Sequence, residues 1–456
     1  MRTLFKTNIN WFVYLAMAFL IILIPNISIL SYIALLISLH QFLLLFYSIN
    51  YIIPIRYIFG FLMCLQFLIG PTLAYNGMDQ YQYFLYKMQV PEQEYFSYAI
   101  PAVVCFIIGM HINCKNLEGE ILDTKAIKSF IANRQKLPFM LIGVGFASSF
   151  LSQFVKSELG FIFYLLAGFK FLGVFMLILS DSKVKMWPMI GVYATIIASS
   201  LGEGMFHDLV TWGIFLGAIY AIYYKPSTVV KVFLILGFSI TVTLIQVLKS
   251  DYRSALSSGE QAGIETFNKA YEEKQNEDQG IFSIKNLGSA SVRINQGFIV
   301  SYIMKTIPAK MPFEDGEEMR KVFEAAILPR FLAPDKLRAG DKAIFTKYTG
   351  LQLKEGTSMG LSSLGDAYIN FGTFGGSLFM FFLGLLYSFA LKLFYKHSKS
   401  FPLLLLFTPL VFYYPIRPDC EFQTILGHFL KSIFLIYLVF QFWKKDFVAD
   451  QLSIAV

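Results

Sequence analysis

Long apolar stretches separated by short polar connectors run along most of the chain. Several of them reach the roughly 20 residues that an α-helix needs to cross a bilayer. The stretches are continuously apolar and do not alternate with a period of two, so they favour helices over the strands of a membrane β-barrel. The pattern predicts about twelve transmembrane helices, at residues 10–25, 28–49, 55–75, 97–114, 137–154, 160–180, 187–202, 206–224, 229–248, 367–391, 401–415 and 424–443.

Composition agrees with this pattern. Of the 456 residues, 56% are hydrophobic and 15% are charged, whereas a soluble domain averages about 25% charged residues. The four cysteines have neither the pairing of a disulfide framework nor the spacing of a metal site. The sequence therefore predicts an all-α polytopic membrane protein without a metal centre.

Positive charge sets the predicted orientation, because Lys and Arg in short connectors resist translocation. Connectors rich in these residues alternate with connectors that carry few, beginning with Arg2 and Lys6. Both termini are therefore predicted to be cytoplasmic. The chain then divides into residues 1–249 with nine helices, an extracytoplasmic loop at 250–366, and residues 367–456 with three helices.

The large loop is predicted to fold into a helical cap. It holds 15 Lys and Arg residues and 16 Asp and Glu residues, so its charge is close to neutral. Residues 262–277 and 314–329 have helical patterns. Residues 292–308 are amphipathic enough to lie along the membrane surface, and the Pro and Gly residues of 327–342 favour a loop.

The arginines are few and fall mostly outside the cytoplasm in this topology. The chain has nine, against 29 lysines. The planar guanidinium binds phosphate or carboxylate through two parallel hydrogen bonds, which Lys cannot do. We expect Arg253, Arg293, Arg330 and Arg417 to bind an anion, and interpret Arg320 as a solvated charge on a helix.

Arg417 stands in the stretch "FYYPIRPDCEFQ" at 412–423, with Asp419 and Glu421 close behind it. Charged groups beside lipid are costly, and they usually pair with a ligand or line a cavity. One interpretation is an Arg417–Asp419 pair that neutralises itself at a helix end. The other is a site in which Arg417 and Asp419 contact substrate.

Three residues are candidates for acid–base chemistry on the same side. Glu203 and His207 lie in "SSLGEGMFHDLVTW" at 199–212, and Asp366 lies in a glycine-rich stretch that re-enters the membrane. His207 is either a proton carrier or a hydrogen-bonding residue at a helix end. Glu203 and Asp208 could belong to a metal site, but no second His or Cys accompanies them to complete one.

Four stretches together resemble a known family. They are "RINQG" at 293–297, "LPRFLAPDK" at 328–336, "TSMGLSSLGDAYINFGTFGG" at 357–376, and the Arg-x-Asp pattern of Arg417 and Asp419. With the span layout and the large outer loop, they resemble the oligosaccharide repeat-unit polymerases of bacterial surface polysaccharides, the O-antigen polymerase-like proteins. The similarity covers mainly residues 250–425.

This resemblance implies a glycosyltransferase of the bacterial cytoplasmic membrane that serves lipopolysaccharide or a related polysaccharide. Its donor and acceptor would be oligosaccharides on polyprenyl diphosphate, held among membrane lipid. It implies no cofactor and no nucleic acid, and it adds a chain-length regulator protein to the expected partners. The arginines would hold the diphosphate, and Asp366, Glu203 or His207 would act on the acceptor hydroxyl.

Two other classes of protein fit the same residues. A ligase or acyltransferase on the outer face would use similar arginines. A flippase or transporter for lipid-linked glycans would place charges within its spans, where Lys170 is the main ionisable residue in the predicted helices.

Overall fold

A computed structural model describes residues 9–114, 120–155, 158–276, 280–328, 333, 336–337, 340, 342–353 and 359–448. All regular elements among these residues are helices. The first twelve α-helices are α1 (Trp11–Ile22), α2 (Ile29–Ser48), α3 (Ile55–Cys64), α4 (Gly70–Tyr75), α5 (Glu92–Ile112), α6 (Thr124–Ala132), α7 (Lys136–Leu151), α8 (Glu158–Ala167), α9 (Phe169–Leu179), α10 (Met186–Glu203), α11 (His207–Tyr224) and α12 (Thr228–Ser257).

Nine further α-helices follow in the described residues, the first of them in the large loop. They are α13 (Ile264–Gln275), α14 (Ile284–Ser291), α15 (Gly297–Thr306), α16 (Glu317–Ile327), α17 (Lys342–Thr349), α18 (Ser362–His397), α19 (Thr408–Val411), α20 (Phe422–Phe442) and α21 (Lys444–Phe447). A π-helical turn, Leu65–Ile69, joins α3 to α4, and short 3₁₀-helices lie at Met78–Tyr81, Phe84–Tyr86 and Leu404–Phe407. The helices predicted in 262–277 and 314–329 are confirmed as α13 and α16.

Seven of the described helical segments are long and apolar enough to cross a membrane, which indicates an integral membrane protein. They are Ile29–Ser48, Ile55–Tyr75, Glu92–Ile112, Gly160–Leu179, Thr228–Ser257, Ser362–His397 and Phe422–Phe442. The apolar helices α1 and α7 have 12 and 16 residues, which is shorter than the usual crossing length. A total of twelve spans stays a prediction.

The segment predicted as a span at 401–415 is not a continuous helix. It forms a 3₁₀ turn at Leu404–Phe407 and the four-residue helix α19. Pro402, Pro409 and Pro415 recur through it. Proline has no backbone N–H to donate and clashes with the preceding helical turn, so this stretch cannot keep one long helix.

The amphipathic stretch at 292–308 also differs from its prediction. Eight of the ten residues of α15 are buried, so this helix does not lie on a lipid surface. Its first residue, Gly297, faces Tyr95 and Pro71 at a distance that leaves no room for a side chain. The loop is thereby anchored inside the bundle, against α4 and α5.

Glycines bring α5 and α18 into close contact. A Cβ atom at Gly109 would collide with the carbonyl oxygen of Phe381, and one at Gly384 would collide with that of Phe106. Small residues let two helix backbones approach in this way. Closer to its N-terminus, α18 is interrupted at Gly372, whose φ of 65° is in the left-handed region that favours glycine.

Contacts between connectors fall into two groups, one at each end of the bundle. The first group, here called the Arg56 end, joins Asn50 to Pro226, Arg56 to Glu120, Lys128 to Asp181, and Arg134 to Val448. The second group, here called the Arg417 end, joins Ser28 to Glu92, Gln82 to Ser291, Tyr252 to Leu201, and Tyr413 to Asp208. Arg253, Arg293 and Arg417, which are discussed in the next section, lie at the Arg417 end.

Candidate functional site

Arg417 lies in a tight turn between α19 and α20. The backbone N–H of Arg417 bonds the carbonyl of Tyr414 at 2.9 Å, and the N–H of Cys420 bonds the carbonyl of Arg417 at 3.1 Å. The guanidinium lies over the Tyr414 ring, 5.2 Å from its centroid. With 16% of the side chain exposed, the group is largely buried yet still reaches the surface.

Two further cations lie on the last turns of α12. Lys249 and Arg253 are four residues apart, so they share a face of the helix. Arg253 is exposed, and its Cγ lies 2.9 Å from where a Cβ at Gly204 would stand. Gly204 has a φ of 59°, in the left-handed region, and ends α10. The end of α10 thus makes room for the Arg253 side chain.

Arg293 completes the group from a third direction. It follows α14 in the chain and its side chain is exposed. Lys249 lies within electrostatic range of Arg293, Arg253 and Arg417, and of Asp419. We call Lys249, Arg253, Arg293 and Arg417 the basic cluster.

The basic cluster carries more positive charge than its neighbours neutralise. Arg417 Nη2 lies 3.7 Å from Asp419 Oδ2. Among the described residues, this is the ion pair that the cluster forms. Arg253 and Arg293 form no ion pair within the described part of the chain. Like charges held together repel, and an anion bound among them relieves the repulsion. The cluster therefore has the charge of an anion-binding site.

A carboxylate and an imidazole lie next to the cluster. Asp208, in the first turn of α11, is in electrostatic range of Arg417. It accepts a hydrogen bond from the Tyr413 hydroxyl, and His207 Nε2 lies 2.6 Å from Asp208 Oδ1. A negative charge is favourable at this position because the helix dipole is positive at its N-terminus.

Asp366 lies in a different environment. It lines a cavity of about 50 Å³ together with Glu318 and Glu421. Its carboxylate faces the backbone N–H of Phe422, the first residue of α20. The cavity has room for a few water molecules. The turn that holds Arg417 ends at Glu421, which lines this cavity, and none of the four residues of the basic cluster lines it.

The structure brings together four of the predicted site residues: Arg253, Arg293, Arg417 and Asp419. His207 is joined to this group through Asp208. Glu203 is exposed at the last position of α10, one residue before the glycine that packs on Arg253. Asp366 is not in contact with the cluster, and Arg330 lies outside the described residues.

Three members of the site were not predicted from the sequence. Lys249 had a signal, because it lies one helical turn before Arg253. Asp208 stands beside His207 in the sequence, but nothing local relates it to Tyr413, because 205 residues separate the two in the chain. Only the packing of α11 against the 412–421 turn brings them together.

No metal site emerges within the described ranges, where no three His, Cys, Asp or Glu side chains gather. Cys420 adjoins Arg417, yet burial raises the pKa of its thiol well above the usual value. A protonated thiol is neither a metal ligand nor a nucleophile. The chemistry available here is anion binding by guanidinium and ammonium groups, beside a carboxylate–imidazole pair.

Comparisons with known proteins returned no relatives. No family model matches the chain, and no curated protein and no solved structure matches it.

Proposed function

We propose that this protein is a membrane glycosyltransferase that polymerises polyprenyl-diphosphate-linked oligosaccharide repeat units at the outer face of the bacterial cytoplasmic membrane. The convergence of Arg253, Arg293 and Arg417 beside Lys249 is the observation that carries this proposal. These side chains come from three separate segments of the chain. Two of the arginines have no ion-pair partner in the described residues, so they are available to a ligand.

The chemistry of the donor explains the need for such a cluster. When a sugar leaves polyprenyl diphosphate, negative charge develops on the diphosphate oxygens. Guanidinium groups stabilise that charge through bidentate hydrogen bonds, with no nucleotide or metal required. The acceptor hydroxyl must lose a proton, and His207, Glu203 and Asp366 are the groups considered for that step.

The position of α12 suits a substrate that arrives in the bilayer. This helix carries Lys249 and Arg253 at its end, and 6% of its apolar 18-residue stretch is buried. The other six candidate spans have 39–67% of theirs buried. A polyprenyl chain lying against α12 would bring its diphosphate up to the basic cluster without leaving the membrane.

The predicted orientation agrees with this use of the cluster. The Arg56 end of the bundle collects the connectors in which Lys and Arg are frequent, such as those that contain Lys128 and Lys185. The basic cluster lies at the opposite end. With the lysine-rich connectors in the cytoplasm, the cluster faces outward, where lipid-linked repeat units await polymerisation.

The test is glycan lengthening by purified protein in liposomes, supplied with a synthetic polyprenyl-diphosphate oligosaccharide and no nucleotide. We expect a ladder of products on a gel. Arg253→Gln and Arg293→Gln should each slow its formation about tenfold or more, because each loses a charge-assisted contact. Arg320→Gln is the matched control, since Arg320 is an exposed arginine of α16 with its own acidic partner.

Three results would overturn the proposal. One is a wild-type protein that leaves the glycan length unchanged while it moves the lipid across the bilayer, which is flippase behaviour. Another is the transfer of a single unit to a different acceptor, which is ligase behaviour. Wild-type rates in both Arg253→Gln and Arg293→Gln would show that the basic cluster is not the diphosphate site.

A further inference from the structure

The His207 ring is held in one orientation by Asp208. The Nε2 atom lies 2.6 Å from Asp208 Oδ1, so in the neutral ring Nε2–H donates a hydrogen bond to the carboxylate. The other ring nitrogen, Nδ1, then has a free lone pair. Within the described residues Nδ1 has no hydrogen-bond partner, and 37% of the side chain is exposed. This nitrogen can accept a proton from a molecule bound at the surface.

Asp208 is itself held from a distant part of the chain. The Tyr413 hydroxyl donates to the same oxygen, Oδ1, that His207 contacts. Trp212, one turn further along α11, stacks on Tyr413 with ring centroids 5.3 Å apart and planes 21° apart. Two residues of α11 therefore fix Tyr413, and Tyr413 fixes the carboxylate that orients His207.

This arrangement adjoins the turn that carries Arg417. Tyr413 is four residues before Arg417, and Asp208 lies within electrostatic range of that arginine. A base fixed by a carboxylate, next to a site for the leaving group, is the arrangement that activates a hydroxyl nucleophile in many enzymes.

We infer that His207 is the general base that deprotonates the acceptor sugar hydroxyl, and that Asp208 and Tyr413 are the positioning residues that orient it. This inference rests on the proposed function. The acceptor oxygen forms a bond to the anomeric carbon of the donor, and the bond from that carbon to the diphosphate oxygen breaks. The electron pair leaves with the diphosphate, and the hydroxyl proton passes to His207 Nδ1 and then to water.

The other two candidate bases are less suited to this step. Asp366 lines a small cavity of about 50 Å³, and no residue of the basic cluster is among its lining residues. Glu203 is exposed and has no hydrogen bond or ion pair that fixes its carboxylate in the described part of the chain. A general base must be held within hydrogen-bond reach of the proton that it removes, and His207 is the one of the three with a fixed ring and an open nitrogen.

The pH dependence of the rate tests the role of His207 directly. The base acts as a neutral imidazole, so wild-type kcat/KM should show an acidic limb that depends on His207. The His207–Asp208 pair has charged and titratable neighbours on three other segments. They are Lys170 on α9, Tyr164 on α8, and Tyr413, Tyr414, Arg417 and Cys420 from the 412–421 turn. Asp208→Asn removes a negative charge that favours the imidazolium, so it should move the acidic limb to lower pH.

The His207→Gln variant removes the proposed base itself. It should lower kcat about 100-fold or more and abolish the acidic limb, while binding of a non-reactive phosphonate analogue of the lipid-linked donor stays unchanged. The matched control is His397→Gln, an exposed histidine at the cytoplasmic end of α18. If Asp208→Asn fails to reach the membrane, Tyr413→Phe serves instead. It should lower kcat several-fold with KM unchanged, and Tyr437→Phe, on the exposed side of α20, should change neither.

Two outcomes would overturn the inference. One is a His207→Gln protein that keeps the wild-type rate or an acidic limb at the same pH. The other is loss of analogue binding in that variant, which would make His207 part of the donor site. Failure of the wild-type protein to lengthen glycans would overturn the proposed function, and it is separable because it needs no variant.

Discussion

Arg417 and Asp419 stand two residues apart in one turn, and their side chains meet at one point, 3.7 Å from Nη2 to Oδ2. A guanidinium has five N–H donors in a fixed fork. A single long contact leaves most of that fork free, and 36% of the Asp419 side chain is exposed. The pair is therefore a weak self-neutralising contact, and it leaves Arg417 the donors that the proposed diphosphate contact needs.

We predict that Arg417→Lys polymerises well below the wild-type rate. Lysine keeps the charge and loses the planar fork, so a bidentate contact becomes a single one. Loss of a charge-assisted contact costs about 1.5–3 kcal/mol, or roughly one to two decades in rate when the contact acts in the transition state. Product ladders from equal amounts of inserted protein measure the effect.

Arg320→Lys is the control for this prediction. Arg320 is 65% exposed on α16 and lies 3.3 Å from Glu317, so lysine should replace it without a change in rate. A correctly inserted Arg417→Lys protein that polymerises as fast as Arg320→Lys would make Arg417 a structural residue of the turn.

Residue type predicted much of the basic cluster. Arginine is scarce in this chain, and Arg253, Arg293 and Arg417 fall in connectors that share a predicted side of the membrane, so their type alone marked them. Lys249 was missed because lysine is common and a single lysine at a helix end usually serves solvation. The sequence shows Asp208 only as a carboxylate near Glu203 and His207. Its contact with Tyr413 spans 205 residues, which no local pattern predicts.

The fold was predictable where hydrophobicity alone decides it. Continuous apolar runs became helices, and α13 and α16 formed where their patterns indicated. The errors have particular causes. Residues 401–415 are apolar enough for a span, yet their prolines break the helix. The sequence of the α15 segment has an apolar face and a polar face, which predicts a helix at a membrane surface. Most of α15 is instead buried, with Gly297 packed against Tyr95 and Pro71. Hydropathy cannot predict such a contact.

The orientation gives a second prediction. A topology reporter fused after residue 300 should be active only outside the cytoplasm, and one fused after residue 396 only inside. The alternation of Lys and Arg between connectors is the reason. Within the described residues, the connectors also contact each other in two separate groups. Opposite signals at both positions would show that the protein has the reverse orientation, with the basic cluster on the cytoplasmic side.

The buried ion pair at the Arg56 end gives a third prediction, on stability. Arg56 Nη2 and Glu120 Oε1 lie 2.6 Å apart, with 7% and 1% of the side chains exposed. Glu120→Gln leaves the guanidinium buried without a counter-charge, so it should lower the free energy of unfolding by about 3–5 kcal/mol. The loss of stability is measured by thermal unfolding in detergent. Unfolding is monitored through the labelling of the thiols of Cys64 and Cys114, which are buried in the folded protein.

An exposed pair at the same end supplies the comparison. Lys128 and Asp181 are also close, at 2.7 Å, but 48% and 69% of their side chains are exposed. Asp181→Asn should leave the unfolding temperature unchanged, because water screens and replaces such a contact. Equal unfolding temperatures for Glu120→Gln and Asp181→Asn would contradict a stabilising role for the buried pair.

The fourth prediction concerns the contact between α5 and α18. Gly384→Ala places a methyl group against the Phe106 carbonyl, and the helices must separate to admit it. Overpacking of this kind costs about 1–3 kcal/mol. Gly217→Ala on α11 is the matched control, because nothing lies within 4 Å of the added carbon there. Both substitutions gain the same helix propensity, so a lower unfolding temperature in Gly384→Ala alone isolates the clash. Equal unfolding temperatures would mean that α5 and α18 separate freely, and that their close approach does not stabilise the bundle.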